Sequence, residues 1–166
     1  MDFSTCDLCD AFKSDESGRL RVLPPVYRNY GQALRFAGPV RTIKCFEDNS
    51  LVKAAVESPG QGQVLVVDGA GSLRRALLGG NLAAAAAANG WAGLLIHGCV
   101  RDLAELALTP LGILALAHVP MPTDRKGQGQ SDLVLHLHGQ PIRLGDWLYA
   151  DADGVVISEQ PLHRLD

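Results

Sequence analysis

The residues best equipped for chemistry fall in two stretches about twenty positions apart. One is Gly79-Gly80-Asn81-Leu82, at the end of the longer segment Val67 to Leu82. The other is Gly98-Cys99-Val100-Arg101-Asp102. Arg101 can grip a carboxylate through two parallel hydrogen bonds, which fixes orientation as well as charge. Asp102 can ligate Mg²⁺ or Mn²⁺ with water filling most of the octahedron. Gly79-Gly80 interrupts an otherwise strong helical pattern from Leu73 to Asn89. Two glycines inside a helix cost about 1 kcal/mol each relative to alanine. That cost moves the expected helix start to Asn81 and leaves Arg74 to Leu78 as a separate turn. A helix beginning there aims free N–H groups and a partial positive charge past the glycines, which favours a carboxylate or phosphate. The two stretches read as a small pocket for an anionic ligand, with a metal as a further occupant. The alternatives for Arg101-Asp102 are an internal ion pair, or a helix start with Asp102 as its cap.

Other motifs carry less. Asp68-Gly69-Ala70-Gly71 offers backbone N–H groups after a strand, but G-x-G without a third glycine is a poor dinucleotide fingerprint. A tight strand-to-helix turn is the simpler reading. Cys6-Asp7-Leu8-Cys9 is a single C-x-x-C pair with no second pair to complete a zinc ribbon. On a helix it reads as two buried apolar residues on one face. His136 and His138 share a strand face that two zinc ligands could use, yet no third ligand is identifiable, and a solvated face is the simpler reading. His97, His118 and His163 add no H-x-x-x-H spacing. There is no G-x-S-x-G elbow and no Walker A sequence.

The elements that must position these residues follow from periodicity and turn chemistry. Ser4 caps a short helix to about Lys13, and Ser14 to Arg21 reads as an exposed loop. Tyr27 to Gly38 reads as irregular or short extended structure. Val40 to Phe46 alternates as a strand, and Asp48-Asn49-Ser50 offers caps for a helix from Leu51 to Glu57. The apolar runs Gln63–Asp68, Trp91–Gly98 and Gly112–Val119 have the look of strands buried on both faces. Ala83 to Ala88 belongs to a helix packed closely on a sheet, ended at Asn89-Gly90. A short helix covers Leu103 to Leu108. Pro120 to Gly129 reads as a mobile polar loop. Leu133 to His138 alternates weakly. Ile142–Leu144 and Trp147–Tyr149 read as a hairpin around Gly145-Asp146, followed by a strand Val155–Ser158 and a tail, Glu159 to Asp166, that is a short helix or disordered. The central βαβ character and the β-rich last third give an α/β fold, a sandwich with a mixed sheet.

Composition narrows the function classes. The 166 residues suit one domain, residues 1–166, and 47% hydrophobic residues can furnish a substantial core. A net charge of −3 lacks the concentrated basic face that coating nucleic acid requires, so no direct nucleic-acid partner is expected. No apolar run reaches membrane-spanning length, so no membrane partner is expected either. Met1-Asp2-Phe3-Ser4 shows no export signal, and the cysteine usage fits a reduced compartment, so the expectation is cytoplasmic.

Several segments together resemble the RraA family. They are Cys6-Asp7-Leu8-Cys9-Asp10, Lys44-Cys45-Phe46-Glu47-Asp48-Asn49, Val66 through Leu77, Gly98 through Asp102, and Tyr149 through Val156. The resemblance covers nearly the whole chain. It implies an α/β sandwich related to the swivelling phosphohistidine domain, assembled as a homotrimer. It also implies one of two functions. The first is a class II aldolase that cleaves 4-hydroxy-4-methyl-2-oxoglutarate to pyruvate and decarboxylates oxaloacetate, a small 2-keto acid being the substrate. The second is a regulator that binds and inhibits ribonuclease E. On the aldolase reading, Arg101 holds the pyruvyl carboxylate together with backbone amides from Gly79, Gly80, Asn81 and Leu82. Asp102 holds a divalent cation, Mg or Mn, largely through water. The aldolase pattern is Asp, twenty residues, then Arg-Asp, and its first position here is Gly80.

Overall fold

Residues 1–162 are described by a computed structural model. In chain order the elements are α1 (Thr5–Phe12), β1 (Leu20–Val22), β2 (Arg28–Asn29), β3 (Phe36–Lys44), α2 (Ser50–Val56), β4 (Val64–Asp68), β5 (Ala76–Leu78) and α3 (Gly80–Ala88). They continue with β6 (Gly93–Val100), α4 (Leu103–Leu106), β7 (Gly112–His118), β8 (Gln130–Ser131), β9 (Leu135–Leu137), β10 (Gln140–Ile142), β11 (Trp147–Ala150) and β12 (Val155–Ser158). The main sheet runs β1-β12-β11-β3-β4-β6-β7-β2, with β5 also on β6 and β8 also on β3. Strands β3, β4, β6 and β7 are mutually parallel, and the outer strands pair antiparallel. This is the mixed α/β arrangement expected from the sequence. Among the described residues no helix is long and apolar enough to cross a membrane.

Both faces of the parallel centre are covered, which is why its strands are continuous apolar runs. Ile43, Leu65, Val67, Leu94, Ile96 and Ile113 face α2 and α3, where Ala83 and Ala86 let the helix approach closely. On the other face Val40, Val66, Leu95 and Leu114 pack with Leu135, Leu137 and Ile142 of the β9–β10 hairpin. Gly93 and Gly112 are directly paired, and a Cβ built on them would sit 2.4 and 2.0 Å from the Phe36 ring. The bare backbone of two neighbouring strands is the seat for that ring.

Several expectations need correction. Cys6 is exposed and Cys9 only half-buried, so the pair is not a buried apolar face; α1 docks through Thr5, whose N–H and hydroxyl both donate to Asp151, and through Leu8 and Cys9, which pack on Phe3, Tyr149 and Val156. Leu20 and Arg21 belong to strand β1, and Phe36 to Gly38 to β3, which ends at Lys44. Arg74 to Leu78 is not simply a turn, because Ala76–Leu78 pairs with β6. Ile142 pairs with Leu135, not across Gly145, and the hairpin turn is His138-Gly139, with φ values of 52° and 74°. Two successive residues of positive φ form the tight turn that matches strand twist. Glu159 to Leu162 contain no helix, and the remainder of the tail, with His163, lies outside the described residues.

The loop Pro120–Gly129 is exposed but tied down. Asp48, which is 2% exposed, accepts from the N–H groups of Ser50, Lys126 and Gln128 and from Ser50 Oγ. Burial pushes its carboxyl upward, but these donors outweigh burial and hold it at about 2. The folded value lies below the ordinary one of about 3.9, so the stabilisation is complete above about pH 4 and is lost as pH falls toward 2. Asp48→Asn should therefore lower stability at pH 7 by about 2 kcal/mol. It should also flatten the loss of stability below pH 4 seen in the parent. Urea unfolding at pH 7 and pH 3 measures both.

Candidate functional site

The two halves of the site meet because β5 and β6 are parallel neighbours. Ala76 pairs with Cys99 and Leu78 with Val100, and the Arg101 N–H donates to Leu78 O at 2.9 Å. Both strands therefore end side by side, delivering Gly79-Gly80 and Arg101-Asp102 to one place. The helix starts at Gly80 with Gly79 as its cap, one residue before the expected Asn81. The Gly80 N–H donates to Asp102 Oδ2 at 2.9 Å. The N–H groups of Asn81 and Leu82 make no hydrogen bond within the described residues, as the first turn of a helix leaves them.

The glycines leave room for two carboxylates that a side chain would have to displace. A Cβ on Gly79 would sit 2.6 Å from Asp102 Oδ2 and 3.3 Å from Arg101 Cγ. A Cβ on Gly80 would sit 1.7 Å from Glu105 Oε2. Glu105 thus fills the space that a side chain at position 80 would need. The sequence reading passed over this residue, although an acid three positions beyond Asp102, on the short helix α4, was the signal available.

Arg101 and Asp102 are both half-exposed and only loosely paired, with Nε to Oδ2 at 4.0 Å. Arg101 Nη1 makes one long bond to Pro120 O at 3.4 Å. Among the described residues the remaining guanidinium donors make no hydrogen bond, so they can meet an anion. Asp102 sits at φ 61°, ψ 50°, a left-handed conformation uncommon for a residue with a side chain, and it does not cap its own helix α4. Its carboxylate reaches instead to the neighbouring helix α3.

These residues line a cavity of about 650 Å³. Its opposite wall is built around Asn49, which the sequence offered as a helix cap. Asn49 does precede α2, but its side chain makes no cap bond. Its Nδ2 donates to Leu77 O at 3.1 Å, and its Oδ1 accepts from Thr123 Oγ1 at 2.7 Å and Arg125 Nε at 3.1 Å. Thr123 and Arg125 also line the cavity, and the sequence held no signal for them beyond composition.

The other stretches stand apart from this site. The N–H groups of Gly69 and Gly71 donate to His97 O at 3.0 and 3.1 Å, and that of Ala70 to Asp68 Oδ1 at 2.9 Å. The Asp68–Gly71 loop is therefore a self-satisfied turn and offers no amides to a ligand. His138 lies in the hairpin turn, not on a strand face with His136, and the Tyr27 hydroxyl bridges His138 Nε2 and His97 Nδ1 at 3.0 and 2.9 Å. Among the described residues no group of three His, Cys, Asp or Glu could hold a metal. What the cavity offers a cation beside Arg101 is Asp102; Glu57, paired with Lys53, and Asp124 also line it, while Glu105 lies outside the lining, against Gly80. Such a sparse all-oxygen set suits Mg²⁺ or Mn²⁺, which keep several waters, and does not suit zinc.

Comparison with known proteins agrees with this architecture. The RraA-like family model, Aldolase/RraA, matches residues 5–157. A protein of Albidiferax ferrireducens named "Putative 4-hydroxy-4-methyl-2-oxoglutarate aldolase" is 64% identical over 164 residues, covering 94% of this chain and 95% of its own. Among solved structures, the RNA-processing inhibitor RraA from Thermus thermophilis superposes with a TM-score of 0.92 at 45% identity, covering 99% of this chain and 98% of its own. A structure from Geobacillus kaustophilus described as S-adenosylmethionine: 2-dimethylmenaquinone methyltransferase superposes with a TM-score of 0.90 at 44% identity, covering 96% and 97%. Two differently named solved structures thus share this chain's scaffold, and the match across residues 5–157 establishes that this chain belongs to the RraA-like family.

Proposed function

We propose that this protein is a carbon–carbon lyase that cleaves 4-hydroxy-4-methyl-2-oxoglutarate to pyruvate and decarboxylates oxaloacetate. The observation that carries the reading is the convergence of the Arg101 guanidinium, the open N–H groups of Asn81 and Leu82 and the Asp102 carboxylate on one cavity. The C1 carboxylate of the substrate binds to Arg101 and the α3 amides, which fixes the 2-keto group toward Asp102. In the aldol cleavage the C4 hydroxyl loses its proton, the C3–C4 bond breaks, and its electron pair becomes the enolate of pyruvate. The C4 fragment leaves as a second pyruvate. In oxaloacetate the same bond breaks with loss of carbon dioxide, and the same enolate forms. Glu105, exposed and without an ion pair among the described residues, lies against Gly80 beside the lining residues Gly79 and Asn81; it takes the hydroxyl proton and returns one to C3 of the enolate, and in the decarboxylation C3 takes its proton from water. Arg101 and the helix N-terminus stabilise the negative charge beside the enolate. A divalent cation held through Asp102 and water would supply Lewis-acid polarisation of the keto oxygen.

Purified protein with Mg²⁺ should release pyruvate from either substrate, and EDTA should abolish the release, followed by a lactate dehydrogenase couple. Release no faster than buffer and metal alone overturns the reading.

A second reading rests on the 45% identity to a structure described as an RNA-processing inhibitor. On that reading the chain binds ribonuclease E and slows RNA cleavage through protein contact. Slowed cleavage by a preparation that releases no pyruvate would put this reading in the first one's place. The homotrimer and a cytoplasmic location belong with these proposals, and the mass in solution decides the former.

A further inference from the structure

The β9–β10 hairpin is a two-stranded sheet of its own, separate from the main sheet. A hairpin alone is marginally stable at best, so side chains must hold this one in place. Leu135, Leu137 and Ile142 pack on Val66, Leu95 and Leu114, and Arg21 Nη1 donates to Pro141 O at 2.5 Å. The tip is tied separately. The Tyr27 hydroxyl joins His138 Nε2 at 3.0 Å to His97 Nδ1 on β6 at 2.9 Å, and the two imidazole rings stand 5.1 Å apart by their centroids. The hydroxyl has one proton to give. In the neutral trio it donates to one imidazole and accepts from the other, whichever tautomers are present. An imidazolium carries N–H on both nitrogens and cannot accept. With both rings protonated the Tyr27 proton has no acceptor in the trio, and two cations face each other. Tyr27 does not escape by ionising, because burial and then Asp68 push its hydroxyl well above the ordinary value. Burial holds His97 below its ordinary value; the Asp68 carboxylate at the end of β4 opposes this, and His138 adds to it. Beside His97, the loop after β4 brings Gly71 and β7 brings Leu116, neither of them charged. Asp151 and Asp153 line a cavity of about 180 Å³ with Tyr27, and Asp151 is taken up by Thr5. Arg28 is exposed, and so is His136, on the outer face of β9 between the buried Leu135 and Leu137.

We infer that Tyr27, His97 and His138 form an acid-sensitive latch, closed while at most one ring is cationic and opened when both are, which frees the hairpin tip from the sheet. The closed latch binds fewer protons than the open one, so closure is complete above the ordinary histidine value of about 6.5 and weakens as pH falls below it. A freed His97 is about tenfold more cation than neutral at pH 5.5, which caps the gain in opening from that ring at about tenfold. The Asp48 carboxyl, held at about 2, does not titrate in this window. The latch is independent of the function proposed for the cavity.

Amide hydrogen exchange of the whole chain at pH 7.5 and pH 5.5, corrected for the intrinsic pH dependence of exchange, tests it. Amides between Leu135 and Ile142 should lose about three- to tenfold of their protection at the lower pH, while those of Val64–Asp68 change less than about twofold. His97→Asn keeps an acceptor near the place of Nδ1 and cannot become cationic, and His138→Gln does the same for Nε2. Either variant should hold the hairpin's protection at pH 5.5 within about twofold of its value at pH 7.5. Tyr27→Phe should leave the tip unlatched, with low protection at both pH values. Equal protection in the parent at the two pH values overturns the latch without recourse to any variant. A loss at pH 5.5 that persists in both His97→Asn and His138→Gln overturns it as well, since the titrating group then lies elsewhere.

Discussion

Arg101→Ala should lower kcat/KM for pyruvate release by about 10³, or roughly 4 kcal/mol of lost transition-state stabilisation. The size follows from what the residue has to itself. Its guanidinium has one long contact, to Pro120 O at 3.4 Å, and a loose 4.0 Å approach to Asp102. Little of its charge is spent within the fold, so most of it is available to the substrate carboxylate and to the charge that builds beside it. The same sparseness predicts that folding hardly notices the change, since half-exposed substitutions away from buried networks cost about 0.5 kcal/mol or less. A thermal melt like the parent's beside a thousandfold loss of activity is the expected pair of results. An alanine variant within fivefold of the parent would remove Arg101 from the chemistry.

A second large effect concerns the corner shared by Gly80 and Glu105. Glu105→Ala should reduce kcat about 10²-fold, the usual scale for a positioned acid–base group. Gly80→Asp alone should also be damaging, because its Cβ would lie 1.7 Å from Glu105 Oε2 and would expel that side chain. The combination should behave differently. With Glu105 cut back to alanine there is room at position 80, and Gly80→Asp should restore at least tenfold of the lost rate. Stopped-assay kcat values for the three variants measure this directly. Full activity in Gly80→Asp alone, or no recovery in the double variant, would show that the two positions do not serve one function.

Much of this architecture could be read from the chain because the parallel strands are buried on both sides. Val64-Leu65-Val66-Val67 and Leu94-Leu95-Ile96 admit no polar face, so their runs identify them directly. The shorter strands fail for the opposite reason. Ala76–Leu78 has three residues, and only its backbone pairing with β6 makes it a strand. Gly139 and Gly145 are both in positive φ, and nothing local says which of them closes the hairpin; that depends on Leu135 being the partner of Ile142. The helix start at Gly80 was missed by one residue, because the local cost of glycine was weighed without the Asp102 carboxylate that receives its N–H. Arg101 and Asp102 were visible as charges at a strand end. Asn49 and Arg125 were not, because a hydrogen bond across 76 positions of sequence leaves no trace in either neighbourhood.

The four parallel strands β3, β4, β6 and β7 all discharge their connections at the same edge of the sheet. That edge carries Asn49, Gly79, Arg101 and Arg125. Lengthening or trimming one of these connections alters the rim of the cavity and leaves the packed strands in place, provided the loop after β7 keeps its donors to the buried Asp48. Descendants of such a chain can drift toward new small molecules, or toward a protein partner, by insertion and deletion alone. Heat tolerance would follow as long as the donors to Asp48 are spared.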